Sequence, residues 1–163
     1  MPETQIARAL HEEHMATLAL LERLESLLGR NAPAVAPVAS APVVAAVLRD
    51  FADAVSREIA THFAFEERAL FPLLDDEALT AMLAEEHRAM LPAAAHLADM
   101  VRAALACGFD PALWRGFHAG AGDLAGALAA HVEKEEMALL PALDDALDAE
   151  TDGRLAMDYA AQH

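Results

Sequence analysis

The residues of this chain best suited to chemistry are histidines and glutamates, and they occur in a duplicated pattern. At two places a histidine is followed four residues later by a glutamate, and both copies lead into a Leu-x-Pro-x-Leu-Asp-Asp segment. A Glu-Glu-His triplet precedes each copy. A repeat implies a doubled structural unit, and imidazole nitrogens with carboxylate oxygens suit Fe, Mn or Zn. The predicted ligands are His14, His62, Glu66, His87, His131 and Glu135.

Four long helices are predicted to position these side chains. The chain is rich in alanine and carries apolar residues at helical spacing, whereas no useful alternating strand pattern occurs. Pro72 and Pro141 are expected to end the second and fourth helices. A weaker pattern predicts a short tail helix near 152–159. The long helices are predicted at about 4–28, 43–70, 76–107 and 111–140.

These helices favour an all-α fold, an up-down antiparallel four-helix bundle formed by residues 1–163 as one domain. His14 and His87 lie about ten residues after their helices begin. His62 and His131 lie about ten residues before the prolines that are expected to end theirs. Neighbouring helices run in opposite directions. All four histidines are therefore expected about 15 Å from the same end of the bundle.

The spacing within each repeat selects one glutamate of each Glu-Glu pair. Residues four apart share a helix face, so Glu66 lies beside its histidine and Glu135 beside its own. The next residues, Glu67 and Glu136, fall about 140° away and are expected to point elsewhere.

Four imidazoles and two carboxylates in a bundle core would be strongly destabilising without a partner. Two metal ions would be such a partner. Each ion would be held by two of the histidines, and both ions would share the two carboxylates. A ferritin-like site needs Glu-x-x-His on two helices and a further Glu on each of the others. The order is reversed here, which disfavours that arrangement.

The pattern of His14, His62-x-x-x-Glu66, His87 and His131-x-x-x-Glu135 resembles the hemerythrin-like, or HHE cation-binding, family over nearly the whole chain. The resemblance implies a four-helix bundle around an oxo- or hydroxo-bridged di-iron centre, with the two carboxylates bridging the irons. Zinc or manganese would also be compatible with these ligands.

The chain departs from the oxygen-carrying hemerythrins at two places. Leu91 stands where they have a fifth histidine, and Glu135 follows its histidine by four residues rather than five. The four-His, two-Glu set is more similar to iron–sulfur-centre repair proteins and iron-responsive hemerythrin domains. The repair proteins also have a Cys-containing N-terminal domain that is not found here.

The leading functional hypothesis is a di-iron protein that binds, senses or detoxifies O2, NO or peroxide. An iron reservoir or donor related to iron–sulfur-centre repair is a second hypothesis, and a purely structural metal site is a third. Weak peroxidase or NO-related activity stays open, and no catalytic residue is assigned.

Composition argues against several partners. A net charge of −16 disfavours nucleic acid and anionic membranes. The N-terminus lacks the features of a signal peptide, and prolines interrupt the apolar run 32–48, so a cytoplasmic protein is expected. Cys107, the only cysteine, is predicted to be a buried thiol near a helix end.

The remaining polar and aromatic residues are given lesser roles. His11 is expected at the rim of the site. Glu13 and Glu86 are expected on solvated helix faces, from which one of them could reach the distal N–H of a ligand histidine. Several apolar side chains, among them Met15, Met90, Met137 and Phe63, are expected to pack in the core around the metal site. The residues predicted to lie away from it are His96, His118, His163, Trp114 and Tyr159.

Overall fold

The computed structural model describes residues 1–162 and shows an all-helical bundle, which confirms the predicted fold class. Four long helices are followed by one short helix. α1 is Gln5–Arg30 and α3 is Glu77–Cys107. α2 runs continuously over 42–73 and α4 over 111–146, each in several segments. The fifth helix, α5, is Ala149–Ala160.

Side chains cap the helices where the sequence places capping residues. Thr4, Asp76, Asp110 and Asp148 each accept a hydrogen bond from the backbone N–H three residues on, at 2.8–3.3 Å. Gly108 follows α3 with a φ of 83°, a conformation that suits glycine. The predicted starts of α3 and α4 are therefore confirmed.

The helices that carry the repeats contain π turns. α2 consists of Pro42–Asp53, a π turn at Ala54–Glu58, Ile59–Phe65, a second π turn at Glu66–Leu70 and a 3₁₀ turn at Phe71–Leu73. α4 consists of Pro111–Lys134, a π turn at Glu135–Leu139 and Leu140–Ala146. In both repeats a π turn begins at the candidate glutamate. Such turns are rare and are frequent at functional sites.

The predicted end of the fourth helix at Leu140 is wrong. Pro141 occupies the first turn of the segment Leu140–Ala146, which resumes after the π turn. A proline in the first turn of a helical segment is compatible with helix, because its N–H is not needed there. Pro72 behaves differently, because α2 ends within the 3₁₀ turn that contains it.

A polar layer divides the apolar core into two parts. Along α1, Ile6 and Leu10 belong to one apolar cluster and Leu21 and Leu24 to the other, with buried His14 between them. The same order recurs on α3, where His87 lies between Leu83 and Met90. The four histidines are therefore at one level of the bundle, as their distances from the helix ends predict.

α5 forms over a longer span than the predicted tail helix and packs on α1. Buried Asp152 accepts hydrogen bonds from the N–H groups of Gln5 and Ile6, both at 2.9 Å. Asp144, near the end of α4, accepts from the N–H groups of Glu3 and Thr4 at 2.9 and 2.8 Å. The C-terminal part of the chain thus caps the start of α1.

α3 is long and apolar enough, by length and composition alone, to cross a membrane. Its inward face carries His87 within the bundle. Its outward face carries the ion pairs Arg88–Glu85 and Arg102–Asp99. This arrangement of one buried and one charged face is that of a core helix in a bundle.

Candidate metal centre

The structure brings the six predicted ligands together in the middle of the bundle. Each is at most 5% exposed, and both glutamates are 0% exposed. They form two groups that share the two glutamates, and within each group one potential ligand atom from every residue lies within 4.8 Å of the others. The groups are His14, His62, Glu66 and Glu135, and Glu66, His87, His131 and Glu135.

Glu66 directs one oxygen to each group. Its Oε1 lies 3.0 Å from Nε2 of His62, and its Oε2 lies 3.4 Å from Nε2 of His87. The two histidines belong to different groups. The carboxylate therefore bridges them through its two separate oxygens.

Glu135 makes the same kind of bridge. Its Oε2 lies 3.0 Å from Nε2 of His14, and its Oε1 lies 2.8 Å from Nε2 of His131. In the second group, the Nε2 atoms of His87 and His131 are 3.0 Å apart. Ligands about 2.1 Å from one metal at right angles are roughly 3.0 Å from each other, so these distances suit atoms that share a cation.

The hydrogen bonding of these atoms also fits a cation. All four oxygens of Glu66 and Glu135, together with Nε2 of His14, are buried without a hydrogen-bond partner of good geometry. Imidazole nitrogens lie 3.0 Å from two of these oxygens without forming a hydrogen bond to them. Buried polar atoms of this kind are costly unless something else binds them. The donor set therefore fits metal ions.

The two carboxylates have different electrostatic environments. Burial raises the pKa of Glu66, and the negative charge of Glu135 raises it further. Burial also opposes ionisation of Glu135, but the surrounding imidazoles, His131 and His14 above all, outweigh it and hold the pKa of Glu135 well below its usual range. Burial lowers the pKa of His62, yet the charge of Glu66 raises it well above its usual value. Protons and metal therefore compete for this cluster.

Comparison with known families agrees with this geometry. The model of the hemerythrin HHE cation binding domain matches residues 5–143. The chain belongs to this family. No curated protein matches the chain at a significant level. The matched span of this HHE domain contains all six clustered residues and ends before α5.

A second set of residues holds the outer nitrogens of the histidines. Nδ1 of His14 lies 2.6 Å from Glu136, Nδ1 of His87 lies 2.8 Å from Glu67, and Nδ1 of His131 lies 2.7 Å from Glu86. A carboxylate can only accept, so each Nδ1 carries the proton and donates it. The lone pair of Nε2 then faces the centre.

Two expectations about glutamates are corrected by these contacts. Glu67 and Glu136 do point away from the histidines of their own helices, but each reaches a candidate ligand on a neighbouring helix. Glu86 is only partly exposed. It contacts Nδ1 of His131, the alternative that its position beside His87 left open, and it forms an ion pair with Lys134. Glu13 likewise reaches His62, at 3.3 Å from Nδ1.

Tyr159, predicted to lie away from the site, is part of it. Its hydroxyl lies 3.1 Å from Nδ1 of His62, and the ring is 6% exposed. The residue is distant along the chain from every candidate ligand. Tyr159 follows Leu155 by four residues, and Asp148 is a capping residue. Together these features indicate a helix with one buried face that carries Tyr159.

Three other histidines, His11, His96 and His118, lie where they were expected. His11 is at the rim, with Nδ1 2.8 Å from Glu136, and it lines a surface cavity of about 430 Å³. His96 is exposed, and Nε2 of His118 lies 3.0 Å from the carbonyl oxygen of Leu28. His163 lies outside the described residues.

Some apolar residues differ from expectation. Phe63 stacks on His87 with ring centroids 3.7 Å apart, and Met90 is buried, as predicted. Met15 and Met137 are exposed instead and do not fill the core around the site. Cys107 is exposed rather than buried. It lies on the last turn of α3, where its helix face is turned to solvent.

A small cavity adjoins the cluster on the side of the larger apolar core. Its volume of about 20 Å³ is close to the space that one water molecule requires. Four ligand residues border it, namely His14, His62, His131 and Glu135. The remaining lining residues include Thr17, Ile59, Phe63, Leu128 and Val132.

Proposed function

We propose that this HHE domain binds two iron ions and uses them to bind, sense or detoxify a small ligand such as O2, NO or peroxide. The observation that supports a dinuclear site is the sharing of both carboxylates. Each sends one oxygen toward the pair His14 and His62 and the other toward the pair His87 and His131.

The chemistry of the ligands supports iron. Each group offers two imidazole nitrogens and two carboxylate oxygens, a mixed set that suits Fe, Mn or Zn, and it contains no thiolate to select a softer metal. Four protein ligands per ion leave positions for an external molecule. Iron would supply reversible one-electron chemistry and affinity for O2, NO and peroxide.

The cavity beside the cluster supports a small ligand. With about 20 Å³ available, close to the space of one water molecule, it suits a very small ligand better than an organic substrate. Ile59, Leu128 and Val132 form much of its wall. Such a wall limits access of bulk water to the cluster and strengthens electrostatic interactions within it.

Anaerobic reconstitution followed by metal analysis and absorption spectroscopy tests this proposal. The expected result is two iron ions per chain and a near-ultraviolet band that changes when azide, NO or peroxide is added. One ion per chain would contradict the dinuclear site. Two bound ions whose spectrum does not change with azide, NO or peroxide would contradict ligand binding and favour a structural site. Rapid transfer of the iron to an apo acceptor would favour an iron donor.

A further inference from the structure

The four ligand histidines are not held equally. Three of them place Nδ1 2.6–2.8 Å from a glutamate oxygen. His62 differs, because the nearest oxygen to its Nδ1 is the hydroxyl of Tyr159 at 3.1 Å, and the carboxylate of Glu13 is farther away at 3.3 Å. A neutral phenol forms a weaker hydrogen bond with an imidazole N–H than a carboxylate does.

Tyr159 belongs to a part of the chain outside the span that matches the family. The tyrosine ring is packed edge-on against Phe65, with centroids 5.0 Å apart. The helix that carries it is fixed by Asp152, which accepts two backbone hydrogen bonds from α1. The hydroxyl is therefore held in place beside His62 by packing on both sides.

The same side of the cluster also adjoins an open surface. Glu13 and Tyr159 both line a surface cavity of about 620 Å³, and both contact His62. Solvent or a chelator in this cavity is separated from His62 by these side chains. The histidines of the other pair have no contact with Tyr159 among the described residues.

We propose that Tyr159 is a positioning residue for His62, and that the ion held by His14 and His62 is the exchangeable one of two. This inference rests on the proposed dinuclear site. A carboxylate partner orients a ligating imidazole and raises its basicity, and both effects are weaker at His62. Tyr159 maintains the orientation of the His62 imidazole. Loss of the Tyr159 hydroxyl weakens binding of the ion held by His14 and His62, while the ion held by His87 and His131 is retained.

Release of Co(II) from the full-length protein to a chelator tests this asymmetry. The wild-type chain should release two ions in two phases of one ion each. Tyr159→Phe keeps the ring packed against Phe65 and should accelerate the faster phase about 10-fold, with the slower phase unchanged. Combining it with Glu13→Gln should extend the effect to about 100-fold. Met157→Ala, an exposed position on the same helix, is the matched control and should leave both phases unchanged.

A spectroscopic signature separates positioning from a general loss of packing. In the Co(II) protein each ligating imidazole gives one strongly shifted, exchangeable N–H proton signal. Tyr159→Phe should move one of four signals. Movement of all four, equal acceleration of both phases, or release identical to wild type would overturn the inference while leaving two metals in place. A wild-type chain that binds fewer than two ions would overturn the proposed function as well.

Discussion

The repeat on α2 and the repeat on α4 place their histidine and glutamate alike, and in each a π turn begins at the glutamate. Outside the cluster the two repeats differ. His131 is held by Glu86, which also pairs with Lys134, whereas His62 is held by Tyr159 and Glu13. Glu13 and Glu86 hold the same place in the two Glu-Glu-His triplets, so the repeats determine the inner ligands and also this outer carboxylate. The difference at His62 comes from Tyr159, which lies outside both repeats.

Removing either bridging carboxylate should have the largest effect, because both repeats depend on both bridges. Glu66→Ala and Glu135→Ala should each lower metal content from two ions per chain to one or none. Metal analysis after reconstitution measures this. Glu133→Ala, an exposed glutamate on α4, is the control. A variant that still holds two ions would show that one bridge suffices.

Without metal, the two glutamates should no longer be equivalent. Glu135 is held ionised by the facing imidazoles, while burial and Glu135 raise the pKa of Glu66. In the apo protein, Glu135→Gln should therefore reduce the free energy of unfolding by about 3 kcal/mol. Glu66→Gln should reduce it by about 1 kcal/mol or less. Urea unfolding measures both, and equal losses would refute the electrostatic difference between the repeats.

The outer carboxylates should affect metal affinity less than the bridges do. Glu86→Gln removes a charged partner of His131 and should weaken binding at that subsite about 10-fold, with two ions still bound at saturation. Glu67→Gln should do less, because its side chain is 43% exposed and water can replace it. Competition with a chelator measures the metal dissociation constants of the two variants. If Glu67→Gln has the larger effect, exposure does not govern these contacts.

The smallest effect is expected at Asp144, which follows the second repeat and caps α1. Its pKa is lowered because hydrogen bonds from Thr4 and Glu3 outweigh the opposing effect of burial. The stabilisation is present above the unfolded-state pKa and is lost as pH falls through the lower folded-state pKa. Asp144→Asn should cost about 1 kcal/mol at neutral pH and progressively less below about pH 4.

Urea midpoints at neutral and acidic pH, compared with the exposed neighbour variant Asp145→Asn, measure this contribution. Asp75 and Asp76 stand at the equivalent place after the first repeat, where Asp76 caps α3 instead. A loss that is constant across pH would mean that Asp144 acts through shape rather than charge.

The inner part of the site could be predicted because it depends on local periodicity. The spacing of His62 and Glu66, and of His131 and Glu135, fixes a shared helix face whatever the helices pack against. The level of the histidines follows from helix lengths alone. Neither inference requires knowledge of how neighbouring helices are rotated.

The outer part could not be predicted because it depends on contacts between helices. Whether Glu67 meets His87 is decided by the packing of α2 on α3, and whether Tyr159 meets His62 by the docking of α5 on α1. The π turns also escaped prediction, since they follow no simple periodic pattern. Pro72 and Pro141 each follow a π turn by two residues, yet only the helix at Pro141 continues, so the prolines alone do not predict both helix ends.

The capping of α1 by residues near the C-terminus has a consequence for the order of folding. The hydrogen bonds from Thr4 and Ile6 to their aspartates join residues 140 and 146 positions apart. Contacts of such long range form late, after the intervening chain has been organised. Helices α1 to α4 supply all six clustered residues, but the layer around His62 is closed only when α5 docks and brings Tyr159 beside it. The surroundings of His62 are therefore complete only after this long-range docking has taken place.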